Sequence, residues 1–236
     1  MKIFKIIISI PLWILWWLNA AILIVLLITV SLVIPNKYYD LPVHIVCRLL
    51  SYSVLLFPRL RGYEVEKLPY PVIFVPNHVS FFDLFISGTV LPGNPRGLEL
   101  KEHFNKPIYG WFIARFGEIP IDPKSARSIK ESFERAAEIL HSKRRNILVM
   151  PEGTRTRDGK VKKFKSGAFY LARRANVPVV PVVYKNLYTR NNVNSLIINP
   201  GIVDTVLLPP VYPSEFETDD QMALHVQSLI ENELES

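Results

Sequence analysis

The stretch Pro71-Val72-Ile73-Phe74-Val75-Pro76-Asn77-His78-Val79-Ser80-Phe81-Phe82-Asp83 decides how the chain is read. Val72–Val75 is a short apolar run that predicts a strand, and Phe82–Val90 predicts a helix. A strand end that opens onto a helix is where α/β proteins tend to place active residues. His78 sits at that turn. Imidazole suits proton transfer near neutral pH, and a carboxylate on one ring nitrogen fixes the tautomer and leaves the other nitrogen as a base. On a continuous helix His78 and Asp83 would lie roughly 140° apart, so the pair needs a turn at His78, with Ser80 and Asp83 as capping residues. A His-x4-Asp spacing alone is common. The flanking Asn77 and Ser80 sharpen it.

Outward from this stretch the α/β texture continues. Strands are predicted at Gly62–Val65, Gly97–Leu100, Glu118–Ile121, Asn146–Met150, Pro178–Val183, Leu196–Ile198 and Val203–Leu208. Helices are predicted at Lys106–Phe116, from Ser125, at Ser166–Ala175 and at Thr218–Glu233. Ile129, Phe133, Ala136, Ala137 and Leu140 keep a helical period behind Ser125, which can cap the N-terminus. The expected fold class is α/β, a mixed sheet flanked by helices and preceded by a two-helix membrane-associated motif. The expected division is 1–57 for the anchoring helices and 58–236 for the α/β domain.

The anchor is read from charge. Between Lys5 and Lys37 lie 31 residues with no charged side chain. As a helix they would extend about 46 Å, more than the ~30 Å hydrocarbon core requires. Trp13, Trp16 and Trp17 suit the headgroup interface, and Pro11 marks a helix start or a kink. The stretch exceeds the h-region of a cleaved signal, so an uncleaved anchor is expected. A second apolar segment, Val43–Phe57, is too short to span. His44, Arg48 and Ser51 fall near one face, so it reads as interfacial. Either the first helix spans and the second lies flat, or both dip into one leaflet.

A second chemical feature is Met150-Pro151-Glu152-Gly153-Thr154-Arg155, directly after a predicted strand. Gly153 allows a tight backbone approach. Arg155 offers a planar fork for a phosphate, and Glu152 can accept a hydrogen bond from a substrate hydroxyl. Arg157, Lys160, Lys162, Lys163 and Lys165 follow. Arg155 and then Lys165 are candidate ligands, and the others supply field. Residues 58 to 195 hold 24 basic against 12 acidic residues, whereas Leu196 to the end holds eight acidic residues and no Lys or Arg. That asymmetry points to an anion-facing surface, and the apolar N-terminus favours lipid over nucleic acid, for which no recognition motif is present. Two prolines in Val177–Val182 predict an edge or bulged strand. Five scattered histidines and a lone Cys47, read as a packing residue, give no metal cluster. A Gly-x-Ser-x-Gly elbow is absent, which argues against a serine hydrolase.

Four ordered blocks resemble the 1-acylglycerol-3-phosphate acyltransferase (PlsC-like) family. They are Asn77-His78-x-Ser80-x-x-Asp83; Lys101 with Pro107-x-x-Gly110-Trp111 and Gly117–Asp122; Pro151–Arg155 with Phe164-Lys165-x-Gly167-Ala168; and Val177-Pro178-x-x-Pro181-Val182. The likeness covers about Gly62 to Glu233, and the family's two-helix membrane motif is similar to the N-terminal pair. One departure is Pro123, where the family usually has Arg; Lys124 and Arg127 lie nearby. The resemblance implies acyl transfer from a CoA or acyl-carrier thioester to the sn-2 hydroxyl of lysophosphatidate, giving phosphatidate, with no cofactor and no metal. His78 would be the base and Asp83 its partner. Asn77, Ser80, Lys101, Glu152, Gly153, Thr154, Arg155 and Lys165 would contact substrate. It implies a membrane location, in a bacterium the cytoplasmic membrane, with the catalytic domain on the cytoplasmic face. The alternatives are another lysolipid or glycerol 3-phosphate as acceptor, hydrolysis, or a non-catalytic lipid-binding module.

Overall fold

The computed structural model describes residues 2–35, 38–142 and 145–236. Lys37, the far boundary of the uncharged stretch, lies outside the described residues. A seven-stranded mixed sheet has the order β1-β7-β6-β2-β5-β3-β4. Its strands are β1 (Leu56–Gly62), β2 (Ile73–Pro76), β3 (Arg96–Leu100), β4 (Ile119–Ile121), β5 (Ile147–Leu148), β6 (Val179–Lys185) and β7 (Gly201–Leu207). All neighbours are parallel except β6 and β7. The helices are α1 (Lys2–Val33), α2 (Asp40–Ser53), α3 (Asp83–Val90), α4 (Tyr109–Phe116), α5 (Ala126–His141), α6 (Gly167–Ala175), a single turn α7 (Leu187–Arg190) and α8 (Asp219–Glu235).

Strand β2 is the axis of the fold. Ile73 and Val75 pack into a core shared with α5, α6 and α8, and Val72 and Phe74 pack into a second core shared with α1, α2 and α3. A strand covered on both faces must be apolar throughout, which is why Val72–Val75 carries no polar alternation. The cap expected at Ser125 is present, whereas α3 has Phe82 at its N-cap with no side-chain cap bond, and Asp83, expected as a cap, is its first helical residue. Ser125 accepts the N–H of Ser128 at the head of α5, and Thr218 and Gln221 form a reciprocal capping box at the head of α8.

Several expectations are corrected. The first strand starts earlier than Gly62: Leu55 at φ 57° breaks the helix and Leu56 enters β1. Gly62, at φ 88°, closes that strand, and its missing Cβ leaves room for the Leu207 carbonyl. Residues Leu196–Ile198 form no strand, because their backbone groups bond α1 instead: Trp13 Nε1 donates to Leu196 O at 2.7 Å and Ile198 N donates to Ser9 Oγ at 2.9 Å. The Pro-rich strand is not at an edge. β6 lies between β7 and β2, and Pro181 is tolerated because the antiparallel ladder to β7 begins only at Val182. Pro11 starts no helix; α1 is already helical from Lys2.

Helix α1 is long and apolar enough to cross a membrane over Ile3–Val33. It does not stand clear of the sheet domain. Ser9 and Trp13 bond the 196–198 segment, Trp16 packs on α3, and Ser31 O accepts Arg115 from α4. Its other side leaves Ile7, Ile10, Ile14, Leu18, Ile22 and Val25 exposed. On α2, Leu41, Ile45 and Leu49 form an outward apolar stripe, while Val43, Cys47, Leu50 and Ser51 face inward. Ser51 therefore does not belong to a polar face; its hydroxyl donates to Cys47 O at 2.9 Å inside the helix packing. Burial pushes the Cys47 thiol up to about 12, as fits a packing residue.

Candidate active site

Strands β2 and β5 are parallel neighbours, paired Ile73↔Ile147 and Phe74↔Leu148, so both end at the same edge of the sheet. The β2 end delivers Asn77 and His78, and the β5 end delivers Pro151–Arg155. This is the crevice beyond strand C-termini in which open α/β sheets bind ligands.

The chain turns at His78 and enters α3 at Asp83. The turn places His78 Nδ1 2.5 Å from Asp83 Oδ2. The same carboxylate accepts Val79 N at 2.9 Å and Ser80 N at 3.1 Å. Asp83 is buried, and these donors fix its orientation. With Nδ1 directed at Asp83, the ring's Nε2 is the remaining basic position. It has no hydrogen-bond partner among the described residues, and the side chain is 17 % exposed.

Glu152 braces this turn from the β5 side. Its Oε1 accepts His78 N at 2.8 Å and its Oε2 accepts Lys162 N at 3.1 Å. The His78 carbonyl in turn accepts Thr156 N at 2.8 Å. Burial pushes the Glu152 carboxyl above the ordinary range, and the two N–H donors oppose that shift. Asn77 and Ser80 are also struts. Asn77 Oδ1 accepts Tyr184 N at 2.8 Å, tying the turn to β6, and Ser80 Oγ donates to Asn191 Oδ1 at 3.1 Å while accepting Phe82 N. Their side chains are buried, and these polar contacts are made within the protein.

The cations lie outside this shell. Gly153, at φ 70°, turns the loop, and a Cβ there would come within 2.7 Å of Lys165 Nζ. The Lys165 ammonium thus overlies the Gly153 backbone. Thr154 and Arg155 are exposed; Lys162 Nζ donates to Thr154 Oγ1 at 3.0 Å and Arg155 O at 2.7 Å. Lys101 is exposed at the end of β3, in a short 3-10 turn that also carries His103. Among the described residues Lys101, Arg155 and Lys165 form no ion pair, so their charge faces outward.

Several residues at this edge were not anticipated from sequence. His103 Nδ1 is hydrogen-bonded to Glu99. Burial raises the Tyr109 hydroxyl above its ordinary value, with Glu99 and Glu118 adding to the shift and Arg155 opposing it. From α1, Trp13 stacks on Phe82 at 5.5 Å between centroids and Trp16 packs edge-on to Phe81 at 5.2 Å. No spacing rule links α1 to His78. The tryptophans read only as interfacial residues, although their clustering in one half of the helix was a local signal. Among the described residues no group of three or more His, Cys, Asp and Glu could hold a metal ion.

A family model described as Acyltransferase matches residues 59–185, which include the His78 turn, the Glu152 loop and β6. The chain belongs to the acyltransferase family. It is 30 % identical over 204 residues to the chloroplastic 1-acyl-sn-glycerol-3-phosphate acyltransferase BAT2 of Brassica napus, covering 84 % of this chain and 59 % of the relative. The 1-acyl-sn-glycerol-3-phosphate acyltransferase of Salmonella typhimurium is 31 % identical over 166 residues, with 69 % and 66 % covered. The chain thus spans somewhat under two thirds of the length of these relatives. The crystal structure of the acyltransferase PlsC from Thermotoga maritima superposes with a TM-score of 0.84, covering 98 % of this chain and 96 % of that one at 21 % identity. That likeness shows a shared fold over nearly the whole of both chains.

Proposed function

We propose that the chain is a 1-acyl-sn-glycerol-3-phosphate acyltransferase that moves a fatty acyl group from a CoA or acyl-carrier thioester to the sn-2 hydroxyl of lysophosphatidate. The observation that carries this reading is the 2.5 Å contact between His78 Nδ1 and Asp83 Oδ2, within the region matched by the family model. His78 Nε2 takes the hydroxyl proton as the acceptor oxygen attacks the thioester carbonyl. The tetrahedral adduct collapses, the carbon–sulfur bond breaks, and the imidazolium returns its proton to the departing sulfur, which regenerates the neutral ring. Asp83 keeps the ring in the productive tautomer and balances its transient charge. The products are phosphatidate and the free thiol.

Arg155, Lys165 and Lys101 supply the phosphate site in this reading, Arg155 through its planar fork. Gly153 lets the backbone approach the headgroup, and Thr154 lies beside it. Glu152 and Ser80 act on the substrate through the shape of the turn, since their polar atoms already serve the protein, and Asn77 does so through its Oδ1.

We place the chain at a membrane surface, with α1 and α2 as the anchor and the sheet from β1 onward as the transferase domain; the boundary expected at 57/58 falls inside β1, so the division moves to the turn before Leu56. The packing of α1 against the 196–198 segment, α3 and α4 supports immersion of α1 and α2 in one leaflet through their outward apolar sides. A spanning α1 would drag the polar sheet domain into hydrocarbon. Thioester carriers of CoA or protein type do not cross a bilayer, which favours the cytoplasmic face. Mass spectrometry of the product formed by the purified protein from a mixture of lysophosphatidate, glycerol 3-phosphate and lysophosphatidylcholine with one labelled acyl-CoA tests this reading. Label in phosphatidate is the expected result, and label in the other acylated products alone would replace the acceptor.

A further inference from the structure

Helix α1 reaches the His78 turn by two routes. The direct one is aromatic, through Trp13 on Phe82. The second runs through a polar chain. Trp13 Nε1 donates to Leu196 O and Ile198 N donates to Ser9 Oγ. The same segment is fastened to Asn191, whose Nδ2 donates to Ser195 O at 3.3 Å and to Ile197 O at 3.2 Å. Asn191 Oδ1 accepts the Ser80 hydroxyl at 3.1 Å. Ser80 then closes the route: its Oγ accepts Phe82 N, and its own N–H donates to the Asp83 carboxylate.

We propose that Asn191 is a positioning residue for acyl transfer, coupling the seating of α1 to the geometry of the His78–Asp83 turn. The inference rests on the acyl-transfer reading above. Asn191 is only 3 % exposed, and its carboxamide is fully used: both N–H groups face carbonyls and the oxygen faces Ser80. Asp cannot supply the two donors, and Ala supplies nothing. Without this acceptor the Ser80 hydroxyl is free to rotate away from Phe82 N, and the first turn of α3, which carries Asp83, loses its brace. The loss falls on the proton-transfer geometry, because Asn191 bonds Ser80, and Ser80 N–H donates to the Asp83 carboxylate that holds the imidazole. A second consequence concerns α1: when it leaves its seat, residues 196–198 lose two anchors and the slack reaches Ser80 through Asn191.

The test is a double-mutant cycle on the full chain in vesicles of phosphatidylcholine and phosphatidylglycerol, with lysophosphatidate and palmitoyl-CoA. Asn191→Ala is expected to lower kcat about ten-fold, corresponding to roughly 1.4 kcal/mol, while KM for both substrates stays within about two-fold. Ser80→Ala is expected to lower kcat similarly, with the double variant no worse than the more impaired single. Trp13→Phe keeps a ring on Phe82 but loses the bond to Leu196 O. Its smaller loss in kcat is expected to be less than multiplicative with that of Asn191→Ala. Multiplicative losses, or an unchanged kcat with only a lower thermal midpoint, would overturn the inference. If Asn191→Ala does not fold, the cycle of Trp13→Phe with Ser80→Ala decides by the same criterion. Wild-type turnover in the same vesicles separates the two claims. A wild type inactive with both palmitoyl-CoA and palmitoyl-acyl-carrier protein removes the acyl-transfer reading and this inference with it, and an active wild type with multiplicative losses removes the inference alone.

Discussion

Glu152 Oε1 accepts the backbone N–H of His78 at 2.8 Å, so the loop after β5 holds the main chain of the residue proposed as the base. Two blocks 74 residues apart in sequence thereby act on one side chain. Glu152 is buried with both carboxylate oxygens occupied by backbone N–H groups, of His78 and Lys162.

Glu152→Gln tests that role. An amide can present one oxygen, so either His78 N or Lys162 N loses its acceptor. An unsatisfied buried donor costs about 1–3 kcal/mol. The expected outcome is a lower thermal midpoint, by about 2–4 °C per kcal/mol for a chain of this size, together with a fall in kcat. A variant with wild-type kcat would detach Glu152 from the turn's geometry.

Asp83→Asn removes the charge but keeps the size. The amide can hold His78 in the tautomer that places the proton on Nε2, where a base is needed. A fall in kcat of about 10²–10⁴, with KM little changed, is expected. Steady-state kinetics with both substrates varied provides the check, and a loss confined to KM would contradict the assignment.

Arg155→Ala is expected to raise KM for lysophosphatidate by about ten-fold or more and to leave KM for acyl-CoA within a few-fold. A charge-assisted bidentate contact is worth roughly 1.5–3 kcal/mol. The opposite order of effects would move Arg155 to the donor site.

The exposed stripe on α2 gives a membrane prediction. Ile45→Glu places a charge between Leu41 and Leu49 without touching the inward residues. Burying one such apolar side chain contributes about 1.5–3 kcal/mol, so vesicle partitioning should fall at least ten-fold with an unchanged circular dichroism spectrum. Sedimentation with liposomes measures it, and undiminished binding would remove α2 from the interface.

Glu118 sets a pH dependence. Burial beside β3 pushes its carboxyl up to about 8, while Arg96 and Gly97 N pull the other way. Between about pH 5 and 8 the unfolded chain has released this proton and the folded chain keeps it, so stability falls as pH rises across that window. Glu118→Gln should flatten the fall and raise the melting temperature at pH 8 relative to wild type. Equal slopes of melting temperature against pH in the two proteins would contradict the shift.

The His78 turn was legible because its signals are local: an apolar strand, a polar turn, then a helix with Asp83 at its head. The same holds for α5 and α8, where cap and period agree. Strand β1 was obscured by the apolar run from Val43, which continues past the helix end at Ser53 with no Gly or Pro to mark it. Pro178 and Pro181 suggested an edge, because a strand's neighbours are not written in its own residues. Glu152 and Ser80 stand out in the sequence, but their partners within the protein do not. Their partners, Lys162 N and Asn191, come from loops whose placement is tertiary. Asn191 itself lies 111 residues from Ser80 and has no motif to announce it.

The most direct test of the account is the turnover of His78→Ala, purified and bound to the same vesicles as wild type, with lysophosphatidate and acyl-CoA saturating. A rate at or near the uncatalysed background is expected, with vesicle binding and fold intact. A variant that retained a substantial fraction of wild-type turnover would show that this imidazole does not take the acceptor's proton.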